Sequence, residues 1–208
     1  MLCAIFIIMK KAFTLSEVLI TLGIIGVVAA LAMPSLISSY RKRVVETRLA
    51  KFYSTINNAI KLSEIDNGDI STWSSPGGGA SVGNIWYNTY LAKYLPTSKG
   101  RPAPKNNRYL VYFPDGSALF VDTSAHFFIN AKDAGSVPPD IMGTKVFMFS
   151  YTNRGFEPYG FDKSDTVLKD DAASGCNRTS AGDRPRAYCA ELIRRNGWKI
   201  PDDYPLKF

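Results

Sequence analysis

Few residues in this chain have both the side-chain chemistry and the company needed to do chemical work. The single histidine, His126, stands beside Phe127 and Phe128, so no Ser-His-Asp or Cys-His set can be assembled around it. Burial on a strand or simple surface exposure accounts for it better than catalysis. The run Gly77-Gly78-Gly79 lacks the downstream Lys-Ser/Thr of a phosphate-binding loop. Cys176 and Cys189 together with His126 do not have metal-ligand spacing. No enzyme is expected from these patterns, and no cofactor. What remains is Glu17, one carboxylate at the head of an apolar run from Val18 to Ile37. Placing a carboxylate in hydrocarbon costs about 2.5–3.5 kcal/mol on insertion scales, which makes Glu17 a functional-site candidate by its position alone.

The run around Glu17 has the dimensions of a membrane span. About 20 apolar residues, rising about 1.5 Å each, cross a hydrocarbon core of roughly 30 Å. A secretory signal would place its small cleavage residue after the apolar stretch. Here Ala12 comes before it, directly after Lys10 and Lys11, so cleavage after Ala12 would remove the basic leader and leave the helix on the mature chain. An ordinary single-span anchor would explain the hydrophobicity, but neither Glu17 nor the Ala12-Phe13 junction.

The segment Lys10-Lys11-Ala12-Phe13-Thr14-Leu15-Ser16-Glu17-Val18-Leu19-Ile20 resembles the leader and first mature residues of type IV pilins and type II secretion pseudopilins. The resemblance is close from Lys10 to Ser39 and only architectural beyond. It implies that a prepilin peptidase cuts between Ala12 and Phe13 and methylates the new Phe13 amine. Glu17 then stands fifth in the mature chain, as the family's glutamate does. That carboxylate would neutralise its own Phe13 amine or, as the family implies, the amine of a neighbouring subunit. An unpaired charge in lipid is costly, so such pairing would specify register as well as association. Gly23 and Gly26 lie within the apolar helix, and Pro34 sits near its end, where these subunits often carry a helix-kinking proline. Two departures stand out. Ala12 occupies a position most often held by glycine, and the apolar stretch Met1–Ile8 precedes the lysines, which makes Met9 an alternative start giving a short basic leader.

The implied partners are the prepilin peptidase, an inner-membrane assembly platform, other pilin or pseudopilin subunits and membrane lipid. Arg41, Lys42 and Arg43 outnumber Lys10 and Lys11, so charge counting alone would keep the C-terminal domain inside the cell. The resemblance implies the reverse: a cytoplasmic leader, a single inner-membrane span and a periplasmic C-terminal domain that later joins a fibre. The even pair Cys176 and Cys189 suits an oxidising compartment. A disulfide between them closes a loop of about 14 residues and contributes about 3 kcal/mol in the chain-entropy model. Their placement also resembles the C-terminal disulfide-bounded region of many type IV pilins. Some pseudopilins bind calcium in that region, and Asp162, Asp165, Asp170 and Asp171 could offer oxygen. Their spacing is not that of an EF-hand, and a solvated acidic loop explains them better.

These features divide the chain into a leader at 1–12, a transmembrane and assembly helix at 13–39 and a globular domain at 40–208. In the domain, Val45, Leu49, Phe52, Ile56 and Ala59 recur at helical spacing and predict an amphipathic continuation of the helix, ending at Asn67-Gly68. Residues 71–83 read as a Gly/Ser-rich loop, 85–94 as a short helix or turn, and 96–107 as irregular. The runs 108–113 and 117–122 about Pro114-Asp115-Gly116 predict a hairpin, with further strands at 127–129 and 145–151. Residues 153–208 read as irregular, apart from a helical turn at 191–195. The sum is α+β: a long N-terminal helix packed on an antiparallel sheet, with a disulfide-tied C-terminal region. The net charge of +7 is mildly basic and comes without a helix-turn-helix, zinc or aromatic-stacking motif. Nucleic-acid binding therefore belongs only to the alternative reading, a minor pilin whose exposed domain binds DNA or an adhesion target.

Overall fold

The computed structural model describes residues 13–103, 107–135 and 138–208. Cys3, Met9, Lys10, Lys11 and Ala12, and with them the leader cleavage site, lie outside the described residues. Two compact units meet in sequence between Tyr40 and Arg41. The chain is α+β, with a long N-terminal helix, a six-stranded antiparallel sheet and a Cys176–Cys189 disulfide.

Helix α1 runs Leu15–Asn67. Its portion in the first unit is apolar on every side and long enough to cross a membrane, and none of its most apolar 18-residue window is buried. The portion in the second unit is amphipathic, as the spacing predicts. Val45, Leu49, Phe52, Ile56 and Ala59 are all buried, and Gly68 ends the helix at φ +75°, a left-handed stop that favours glycine.

The sheet of the second unit is a meander, β1 Lys99–Pro102, β2 Tyr109–Tyr112, β3 Ala118–Val121, β4 Ser124–Phe128, β5 Val146–Thr152 and β6 Gly155–Pro158, each strand antiparallel to the next. Side chains alternate between its faces. On one face Phe52 of α1 stacks on Phe127 at 4.1 Å between ring centroids and meets Phe149 edge-on at 5.0 Å. Helix α2, Ala80–Tyr90, adds Trp86 and Tyr87 to the same core. The other face buries Leu110, Phe120, Phe128 and Met148 beneath Met142 and Ala187.

Both sheet edges are protected against further pairing. At β6, the Asn57 amide of α1 acts as a one-residue partner strand. Its Nδ2 donates to the Phe156 carbonyl at 3.0 Å, and its Oδ1 accepts from the Phe156 N–H at 3.1 Å. Gly155, at φ +118°, is required there because a Cβ would collide with Asn57 Oδ1. At the opposite edge, β1 is short and carries Lys99 and Pro102, residues that discourage strand addition.

Three stretches depart from the sequence expectation. Helix α2 starts at Ala80, inside the expected loop, because the Ala80 N–H finds an external cap in Asn107 Oδ1 at 3.2 Å. Strand β1 lies in a stretch expected to be irregular; Lys-Gly-Arg-Pro has little strand preference, and its pairing comes from β2. The C-terminal region contains β6 and two short helices, α3 Asp165–Asp170 and α4 Cys189–Arg195. Ser164 caps α3 by accepting from the Val167 N–H at 3.4 Å. In α4, Glu191 is fully buried and accepts from Arg194 and Arg195 at 2.7–2.8 Å, which satisfies both of its oxygens.

Candidate assembly site at the start of the long helix

Glu17 lies in the first turn of α1, and its neighbour Thr14 immediately precedes the helix. The two side chains engage reciprocally. Glu17 Oε2 accepts from the Thr14 N–H and from Thr14 Oγ1, both at 2.8 Å, while Thr14 Oγ1 accepts from the Glu17 N–H at 3.2 Å. This is a capping box: a threonine at the N-cap and a glutamate three residues on satisfy donors that the first turn leaves without intrahelical partners. The Thr-x-x-Glu pattern Thr14-Leu15-Ser16-Glu17 was legible in the sequence, yet a reading centred on membrane charge passes over it. Glu17 therefore has a local role at the helix start in addition to its charge.

The capping interactions use only Oε2. Among the described residues none donates to Glu17 Oε1, so one oxygen remains available to a partner from outside. Phe13, at the head of this segment, is 85% exposed. Among the described residues, its side chain and those of Leu15, Leu19 and Leu22 find no cover.

Pro34 lies inside α1 and has no N–H, so the Ala30 carbonyl four residues earlier has no backbone donor at the usual place. A Cβ added at Gly23 or Gly26 would meet nothing within 4 Å. Among the described residues nothing therefore creates a steric need for glycine at either position, although each glycine weakens a helix by about 0.8–1.0 kcal/mol relative to alanine.

The remaining sequence candidates fall elsewhere. Cys176 and Cys189 are bonded and buried, with Cα atoms 4.7 Å apart. Asp162 pairs with Lys163 at 3.2 Å, and Asp165 pairs with Arg195. Asp171 Oδ1 accepts from the Ala173 and Ser174 N–H groups at 3.0 and 2.7 Å. These aspartates serve separate local contacts, and among the described residues no cluster of three His, Cys, Asp or Glu side chains is placed to hold a metal ion. His126, on β4, faces Arg108 of the segment leading into β2, with Nη1 and Nδ1 3.4 Å apart. Burial and then the Arg108 charge push its pKa down to about 4, so the imidazole is neutral at neutral pH.

The chain belongs to a family of unknown function, DUF6613, whose model matches residues 35–208. The match begins after Pro34, so it includes the sheet and the disulfide region and leaves out Glu17. Neither the curated proteins nor the solved structures provide a match.

Proposed function

We propose that this DUF6613 member is a structural subunit of a type IV pilus or type II secretion pseudopilus, released from its leader by a prepilin peptidase and polymerised through its N-terminal helix. The observation that carries this reading is Glu17: an exposed carboxylate in the first turn of an otherwise apolar helix, four residues after Phe13 and its lysine-alanine leader. Cleavage between Ala12 and Phe13 creates an amine, which the peptidase methylates. Glu17 Oε2 stays with Thr14 and keeps the helix start ordered. Oε1 accepts from the Phe13 amine of the neighbouring subunit, and only the correct axial stagger brings the two charges together.

The glycines support the same reading, since closely packed helices favour small residues at their contacts, and among the described residues nothing crowds Gly23 or Gly26. In this scheme the helix spans the inner membrane before assembly, and the domain from Arg41 onward is periplasmic. The Cys176–Cys189 bond is consistent with that compartment.

The direct test is intact mass with N-terminal fragmentation of the protein purified from membranes containing an active prepilin peptidase. A chain beginning at N-methylated Phe13 is expected. A chain that keeps Lys10 and Lys11 under those conditions overturns the proposal and returns the helix to the class of ordinary single-span anchors.

A further inference from the structure

The face of the sheet turned away from α1 carries a cavity of about 290 Å³, roofed in part by the disulfide-bounded loop. Arg108, His126 and Met148 line it from the sheet side, while Met142 and Arg184 reach it from two separate loops. Its size is near the lower end for small-molecule sites, and it combines apolar walls with a few convergent polar groups, the usual make-up of such sites.

Both guanidiniums are held in place yet keep donors in reserve. Arg108 directs Nε toward Asp122 at 3.4 Å and Nη1 toward His126 Nδ1 at 3.4 Å. Arginine can only donate, so that contact makes Nδ1 the acceptor and puts the imidazole proton on Nε2. Arg108 also lies over the Phe120 ring at 5.6 Å. Arg184 donates through Nη1 to the Tyr159 hydroxyl at 3.3 Å and lies over that ring at 5.7 Å. Among the described residues no group accepts from Arg108 Nη2, or from Nε and Nη2 of Arg184. Asp122 gives one oxygen largely to the Thr123 N–H, at 2.7 Å, and so neutralises Arg108 only in part. Asp183, exposed at the rim, opposes an anion rather than binding one.

We propose that this cavity binds a small organic oxyanion, a carboxylate or a phosphate monoester, with the charged end between Arg108 and Arg184 and the apolar body against Met142 and Met148. Guanidinium forks match the geometry of both anions, and a partly enclosed site strengthens the contact. His126 positions Arg108 and stays uncharged. The site rests on the globular domain alone and is independent of how the N-terminal helix is used.

The test uses the full chain in detergent micelles, labelled with ¹³C on its methionine methyls. Met142 and Met148 report from inside the cavity, whereas Met33 lies on α1. Titration with benzoate and with phenyl phosphate should shift the Met142 and Met148 signals saturably, and benzamide, the neutral isostere, should not. Benzoate binding alone identifies a carboxylate site, and phenyl phosphate binding alone a phosphate site. Arg184→Gln, at an exposed position, should weaken binding by roughly tenfold or more, the loss of a charge-assisted contact. Asp183→Asn should tighten it. Failure of both anions to bind, equal binding of benzamide, or unchanged affinity in Arg184→Gln would overturn the assignment.

Discussion

The two halves of α1 share a backbone conformation and differ in almost everything else. In the second unit, Val45, Leu49, Phe52 and Ile56 form one stripe, and a sheet from the same chain covers it. In the first unit, Leu15, Ile24, Ile25 and Val27 fall on different sides of the helix, and each is exposed by 60% or more. A stripe asks for one partner surface, and the chain supplies it. A helix that is apolar all round asks for a surrounding medium, lipid or other helices. The difference shows that helix formation and helix burial are separate problems, and that for residues 13–40 the described residues solve only the first.

The sharpest way to break that comparison is at Glu17. Glu17→Ala removes both the charge and the cap, whereas Glu17→Gln keeps a capping box, in which glutamine serves as well as glutamate. If charge pairing drives assembly, both variants should insert into membranes and both should be lost from fibres by immunoblotting of sheared material. Incorporation of Glu17→Gln at normal levels would assign the role of Glu17 to the cap instead. Neither change should alter unfolding of the globular unit.

The converse experiment lies at Phe52. Truncation to alanine removes a ring packed on Phe127 and Phe149 and should cost about 3–5 kcal/mol in urea unfolding. Leu22→Ala, in the exposed half, should leave the same unfolding curve unchanged. A measurable loss there would mean that the first half is covered by the chain after all. Reduction of Cys176–Cys189, or its replacement by a pair of alanines, should lower the stability of the second unit by about 3 kcal/mol and leave membrane insertion intact.

The smallest effect concerns pH. The folded pKa of His126 is depressed from 6.5 to about 4, so the unfolded chain binds the proton more readily. The stability it contributes is therefore fully present above pH 6.5 and falls as pH drops toward 4. The loss is at most about 3 kcal/mol at 1.36 kcal/mol per unit. His126→Gln should flatten that interval of the stability curve while Leu22→Ala leaves it in place. An unchanged slope in His126→Gln would show that other groups set it.

How much of this was legible follows from the range of the interactions involved. The burial of Phe52 and the stop at Gly68 rest on local periodicity and a single backbone angle, and both could be read directly. Strand β1 could not, since Lys99 to Pro102 are poor strand formers that pair because β2 presents its hydrogen-bonding edge. The start of α2 depended on Asn107, distant in sequence, and the edge cap on β6 depended on Asn57 of a different element. The capping box at Thr14 and Glu17 was a local pattern and was missed only because the carboxylate had a more conspicuous explanation.

By itself the sequence determined the membrane-length helix with its lone carboxylate, the amphipathic stripe, the central hairpin and the pairing of two cysteines. Each depends on residue type and near-neighbour spacing, which a chain carries whether or not it is folded. Only the tertiary structure decided which edges of the sheet are closed, that Glu191 is buried with both oxygens paired, and that Arg108, His126 and Arg184 line one cavity. Those outcomes depend on surfaces that exist only after distant segments have packed, because the free energy that fixes them comes from burial and from pairing groups that burial would otherwise leave unsatisfied.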